Sequence, residues 1–84
     1  MLLLVVLLAA CASAPVQEMS NARQAIEAAR KVGAATKASA ELESAEKLLK
    51  QAEESLTKGD YKQARKEAQA AREHAVDAQD KSVN

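Results

Sequence analysis

Leu42, Ala45, Leu49, Ala52 and Leu56 recur at alternating steps of three and four residues. After Gly59-Asp60 the rhythm resumes in small side chains: Tyr61, Ala64, Ala68, Ala71, Ala75 and Ala78. Steps of three and four draw one apolar stripe along an α-helix, and they are incompatible with the two-residue alternation of a half-buried strand. Two such stripes separated by a two-residue break make a helical hairpin, because so short a connection leaves the helices no choice but to lie antiparallel. The rest of the chain agrees. It is built from alanine, glutamate, lysine, glutamine, arginine and leucine, all strong helix formers, with one aromatic residue, Tyr61. The fold class is all-α: a small antiparallel helical hairpin or three-helix bundle with helices over about 16–32, 39–58 and 60–81.

The hairpin turn is written in local chemistry. Gly59 takes the left-handed conformation that ends the second helix. Asp60 caps the third, with Gln63 placed to reach back in a capping box. Tyr61 follows at the first helical position and is expected to cover the hairpin end. Gly59, Asp60 and Tyr61 are thus structural residues of the turn. Glu43–Lys47, Glu46–Lys50 and Glu54–Lys58 are acid-then-base pairs at i,i+4, each worth about 0.2–0.5 kcal/mol in an isolated helix. In the first helix, Met19, Ala22, Ile26, Ala29 and Gly33 form the stripe, with Ala25, Ala28 and Val32 widening it. The segment Gly33-Ala34-Ala35-Thr36-Lys37-Ala38-Ser39 holds one glycine and two candidate caps, Thr36 and Ser39. The residues leave two arrangements open here: a break that gives three helices, or a continuous stripe from Ala25 through Val32, Ala35, Ala38 and Leu42 that gives one long helix.

The N-terminus has a different character. Leu2 to Ala10 is wholly apolar and is followed by Cys11, the only cysteine. A bilayer-spanning helix needs about 20 apolar residues, twice this run. The length fits the apolar region of a secretory signal, roughly 7–15 residues. Leu8-Ala9-Ala10-Cys11 resembles the lipobox of bacterial lipoproteins: an aliphatic residue, two small residues, then cysteine. The resemblance implies cleavage between Ala10 and Cys11 and a lipid on the Cys11 thiol. The expected organisation is a signal peptide over 1–10, a lipidated Cys11 and tether over 11–17 containing Pro15, and a helical domain over 18–82. A signal normally carries Lys or Arg ahead of its apolar region, and only the terminal amine precedes Leu2. A sole cysteine forms no intrachain disulfide. Several acyl chains on Cys11 would hold the protein durably at a membrane. Ala12, standing where an aspartate retains lipoproteins of Gram-negative bacteria at the inner membrane, implies the outer membrane, facing the periplasm.

ARQAIEAARKVGA, followed by ELESAEKLLKQAEESLTKGDYKQARKEAQAAREHA, resembles a family of bacterial lipoproteins known as domain of unknown function 4398. The likeness runs from about Ser20 to Asp80. It rests on Ala22-Arg23 with Ala25-Ile26, on Gly33-Ala34, on Leu42 with Ala45, and on Gly59-Asp60-Tyr61 with Ala64. The family often opens its middle helix with a proline, where Ser39 stands, after an aromatic, where Lys37 stands. The family has no established activity, so the resemblance implies three helices and an envelope-anchored helical module and no more.

Twelve basic and twelve acidic side chains give a net charge of zero. A nucleic-acid binder shows a basic face, often with stacking aromatics; neither is present, so nucleic acid is not an expected partner. His74 is the sole histidine and has no second histidine or ligating cysteine to share a metal with; it reads as a solvated flank position. Lys62, Arg65, Lys66 and Arg72 make a modest basic strip, balanced by Glu67, Glu73 and Asp77. Glu53-Glu54 and Glu41/Glu43 sit on a solvated face. No phosphate loop, nucleophile elbow or zinc spacing occurs. The chain is therefore expected to be no enzyme, to hold no cofactor or metal, and to take no small-molecule substrate. Its expected partners are the membrane, through lipid on Cys11, and a protein or a second copy, through helix packing. The alternatives are a small periplasmic ligand-binding or chaperone-like module, and a peptidoglycan-associated lipoprotein. The latter would lack a covalent link, because the chain ends Lys81-Ser82-Val83-Asn84 without the terminal lysine of the murein-bound type.

Overall fold

The computed structural model describes residues 14–83. The signal region, the Ala10–Cys11 cleavage point and the lipidation residue Cys11 lie outside the described residues. Those described form four α-helices and no strand: α1, Val16–Lys31; α2, Ala34–Lys37; α3, Ser39–Thr57; and α4, Tyr61–Val83. The three long helices are those the periodicity predicts, and α4 runs two residues further than expected. The continuous first-to-second helix does not form.

The reason lies at Gly33, which has φ 86°. At that angle the backbone cannot carry the α-helix on, and α1 closes with the Gly33 N–H donating to the Arg30 carbonyl at 3.0 Å. One helical turn follows, α2, which periodicity does not reveal because it is too short to show a period. It ends at Ala38, which leaves helical geometry at φ −147° and ψ 50°. Neither candidate cap does that work. Thr36 Oγ1 donates back to the Gly33 carbonyl at 3.2 Å, and the residue at the N-cap of α3 is Ala38, with no side-chain cap. Val32, expected on the buried face, is exposed because α1 has ended beneath it.

The second turn is a full Schellman motif. Gly59, at φ 79°, donates to the Leu56 carbonyl at 3.0 Å, and Asp60 N–H donates to the Ser55 carbonyl at 2.9 Å. Asp60 Oδ1 accepts from the Gln63 N–H at 3.4 Å, so the expected cap is present. The reciprocal half of the capping box is not, because the Asp60 N–H that Gln63 would reach is already committed to Ser55. Tyr61 is 38% exposed rather than covering the hairpin end. The turn is open on that side: a Cβ placed on Gly59 would meet no atom within 4 Å.

α1, α3 and α4 pack up-down-up. One core cluster joins Ile26 and Ala29 from the end of α1 to Leu42 and Ala45 from the start of α3 and Ala75 and Ala78 from the end of α4. A second joins Met19, Ala52 and Ala68 at the opposite end. Leu49 packs against both clusters and links them. α4 contributes only alanines and Ser82 to the interior. Small side chains let its backbone approach its neighbours closely, so that Met19, Ile26 and Leu42 from α1 and α3 supply the bulk. Ser82 is buried without penalty, since its hydroxyl donates to the Ala78 carbonyl at 2.7 Å.

Candidate interaction surfaces

Three helices make three seams, and the seams differ in chemistry. Between α1 and α3 runs an open groove of about 480 Å³, floored by Ile26 and Leu49. Its rims are tied by Arg23–Glu53 at 3.2 Å and by Arg30–Glu46. Glu46 thus turns to Arg30 on the neighbouring helix rather than to Lys50 on its own. The other two expected intrahelical pairs, Glu43–Lys47 and Glu54–Lys58, are not closed among the described residues. For Glu46 the physical reason is that the antiparallel neighbour offers a guanidinium with a planar fork, a better mate for carboxylate than a lysine one turn away.

The seam between α3 and α4 is tied by Lys81 to Glu41 at 2.6 Å, and by the Ser55 hydroxyl donating to Glu67 Oε1 at 2.6 Å. The hydrogen bond from Lys81 holds the Glu41 carboxyl below the ordinary glutamate range, and the same bond holds the Lys81 ammonium above the ordinary lysine range. His74, exposed on α4, lies near enough for its field to lower Glu41 further. No group of three or more His, Cys, Asp or Glu able to hold a metal occurs among the described residues.

The seam between α1 and α4 is rich in amide side chains. Glu18 meets Arg65 at 3.5 Å at one end. Beyond it, Gln79 Nε2 donates to the Ala25 carbonyl at 2.9 Å. A groove of about 400 Å³ is lined there by Asn21, Gln24, Ala25, Arg72, Val76 and Gln79. The expected basic strip is therefore divided. Arg65 is engaged by α1, Arg72 stands in this groove, and Lys62 and Lys66 are exposed.

Of the residues singled out from sequence, Gly59, Asp60 and Tyr61 come together at the turn, and they are architectural. Periodicity missed a second face of α4 that bears Val76, 36% exposed, and Val83, 66% exposed. The signal was present: these are the only β-branched residues of α4, and they stand seven apart. Alanines on the stronger stripe masked it.

No helix among the described residues is long and apolar enough to cross a membrane. A family model described as domain of unknown function (DUF4398) matches residues 17–83, spanning all the long helices. No curated protein and no solved structure matches the chain.

Proposed function

The chain belongs to the DUF4398 family, and from that membership we propose that it is a non-enzymatic lipoprotein of the bacterial cell envelope that presents a three-helix module for protein contact. The observation that carries the reading is Leu8-Ala9-Ala10-Cys11 at the end of an N-terminal apolar run. Lipid on Cys11 anchors the chain to the outer membrane, facing the periplasm. Ala12, Ser13, Ala14 and Pro15 give a short spacer, and α1 begins at Val16. The module then stands next to the bilayer surface. Its exposed seams are grooves between helices, one floored by Ile26 and Leu49 between charged rims and the other lined mainly by amides, and an amphipathic helix with charged flanks is the partner that fits such grooves.

Intact mass of the protein extracted from native membranes tests the anchor. The expected species lacks residues 1–10 and carries acyl groups on Cys11. An unmodified chain that retains Met1 overturns it. Crosslinking in living cells tests the interaction role: the expected result is adducts, and recovery of monomer alone overturns it.

A further inference from the structure

The end of the bundle nearest Cys11 has a chemistry that helix packing leaves unused. α1 begins, α3 ends and α4 begins at this end, where Glu18 meets Arg65 and Met19, Ala52 and Ala68 cluster. Pro15 is fully buried, so the chain is fixed to the bundle at that point. Cys11 stands four residues before it, a span of at most about 14 Å at full extension. α4 alone is about 34 Å long at 1.5 Å per residue. The leash reaches less than half that length, so this end stays beside Cys11 in every orientation of the bundle.

Charge is distributed unevenly along the bundle. Residues 14–19 and 56–66, at the tethered end, carry the bases Lys58, Lys62, Arg65 and Lys66 against the acids Glu18 and Asp60. Residues 28–45 and 74–83, at the far end, balance four bases with four acids. Arg65 and Glu18 engage each other, and the Asp60 carboxylate caps α4. Lys58, Lys62 and Lys66 are exposed and make no ion pair among the described residues. Side chains on a helix lean toward its N-terminus, so Lys62 and Lys66 lean toward the tethered end. Tyr61, the sole aromatic residue, is exposed at the turn, and Val16 is exposed at the start of α1. Tyrosine rings favour the headgroup level of a membrane interface.

We infer that this end is a second membrane contact, in which Lys58, Lys62 and Lys66 bind anionic phospholipid headgroups and Tyr61 sits among them. Acyl chains on Cys11 hold the protein at the bilayer without choosing which of its surfaces touches the headgroups. Lysines brought within a Debye length of an anionic surface add an attraction that selects this end. The groove floored by Ile26 and Leu49 lies further along the bundle and stays open to a partner.

The inference rests on the lipid anchor proposed above. The chain contains no tryptophan, so Tyr61→Trp gives a single fluorescent reporter. The full chain, acylated and processed in cells and checked by intact mass, is reconstituted into phosphatidylcholine vesicles with or without phosphatidylglycerol. The vesicles carry a headgroup-labelled phospholipid quencher. The expected result is blue-shifted, quenched emission in the anionic vesicles, weakening at high salt. Val83→Trp, exposed at the far end, is expected to stay unquenched. Adding Lys58→Gln, Lys62→Gln or Lys66→Gln to Tyr61→Trp lowers the docked-to-free ratio about fivefold each, while arginine at the same positions retains it. Circular dichroism checks that helicity is unchanged in these variants. Quenching of Tyr61→Trp no greater than that of Val83→Trp, or equal in vesicles without phosphatidylglycerol, overturns the inference and leaves the anchor standing. A purified chain without acyl groups overturns the anchor and the inference with it. Binding to isolated peptidoglycan with no quenching on anionic vesicles assigns the lysines to the cell wall and overturns the bilayer as occupant.

Discussion

Gly33 and Gly59 share one conformation, φ 86° and 79°, and between them they decide where helices stop. A side chain at that angle brings Cβ against the following carbonyl, at a cost of roughly 1–2 kcal/mol. At Gly59 nothing else opposes a Cβ, since no atom lies within 4 Å of its position. The effect of Gly59→Ala is therefore backbone strain alone. We expect it to destabilise the domain by about 1–2 kcal/mol, and Gly59→Asn, which tolerates the left-handed region better, to cost less. Urea unfolding followed by circular dichroism reads both. Equal losses for the two variants would count against strain as the cause. Asp60 shows how far residue-level reasoning carries. Its cap on Gln63 is legible in sequence, whereas the failure of the reciprocal bond depends on a Schellman turn that takes the Asp60 N–H first.

At the scale of the element, α4 is defined by what it lacks. Five of its six buried residues are alanine, so its contacts with α1 and α3 come from close backbone approach rather than from interdigitating bulk. Such a surface has no room for a larger side chain. Ala75 is fully buried against the Ile26–Leu42 cluster. Ala75→Leu changes intrinsic helix propensity little and overpacks the seam, at a cost of about 1–3 kcal/mol. The expected outcome is a lowered thermal midpoint with helicity preserved below it. A raised midpoint would show that α4 stands further from its neighbours than the burial of its alanines indicates. The element scale is also where the sequence is most legible. The stripes on α1, α3 and α4 are the buried faces that the three-and-four rhythm draws, because burial in a helix bundle follows angular position, and angular position follows from spacing alone. The short α2 escaped because one turn carries no periodicity.

The whole molecule rests on few large side chains. Met19, Ile26 and Leu42 are the only buried residues bigger than alanine in α1 and α3, and Leu49 spans the two clusters they head. Replacing a buried isoleucine by alanine costs about 2–5 kcal/mol. A core in a domain this small rarely supplies more than about 3–5 kcal/mol in all. Ile26→Ala is accordingly expected to abolish the cooperative thermal transition, where loss of the half-exposed Arg23–Glu53 pair leaves it in place, such pairs being worth about 0–1 kcal/mol. A sharp transition retained in Ile26→Ala would mean that a contact outside the described core carries the stability.

The sequence by itself determined what is local: the helical class, the stop at Gly59, the cap at Asp60, and the face that each long helix buries. These follow from dihedral limits and from 3.6-residue periodicity, which act within a few residues along the chain. The tertiary structure decided what depends on neighbours. It sent Glu46 to Arg30 rather than Lys50, left Arg72 without a carboxylate, and left Val76 and Val83 uncovered. A side chain's mate is set by which helix lies beside it and in which direction, and spacing along one helix holds no record of that.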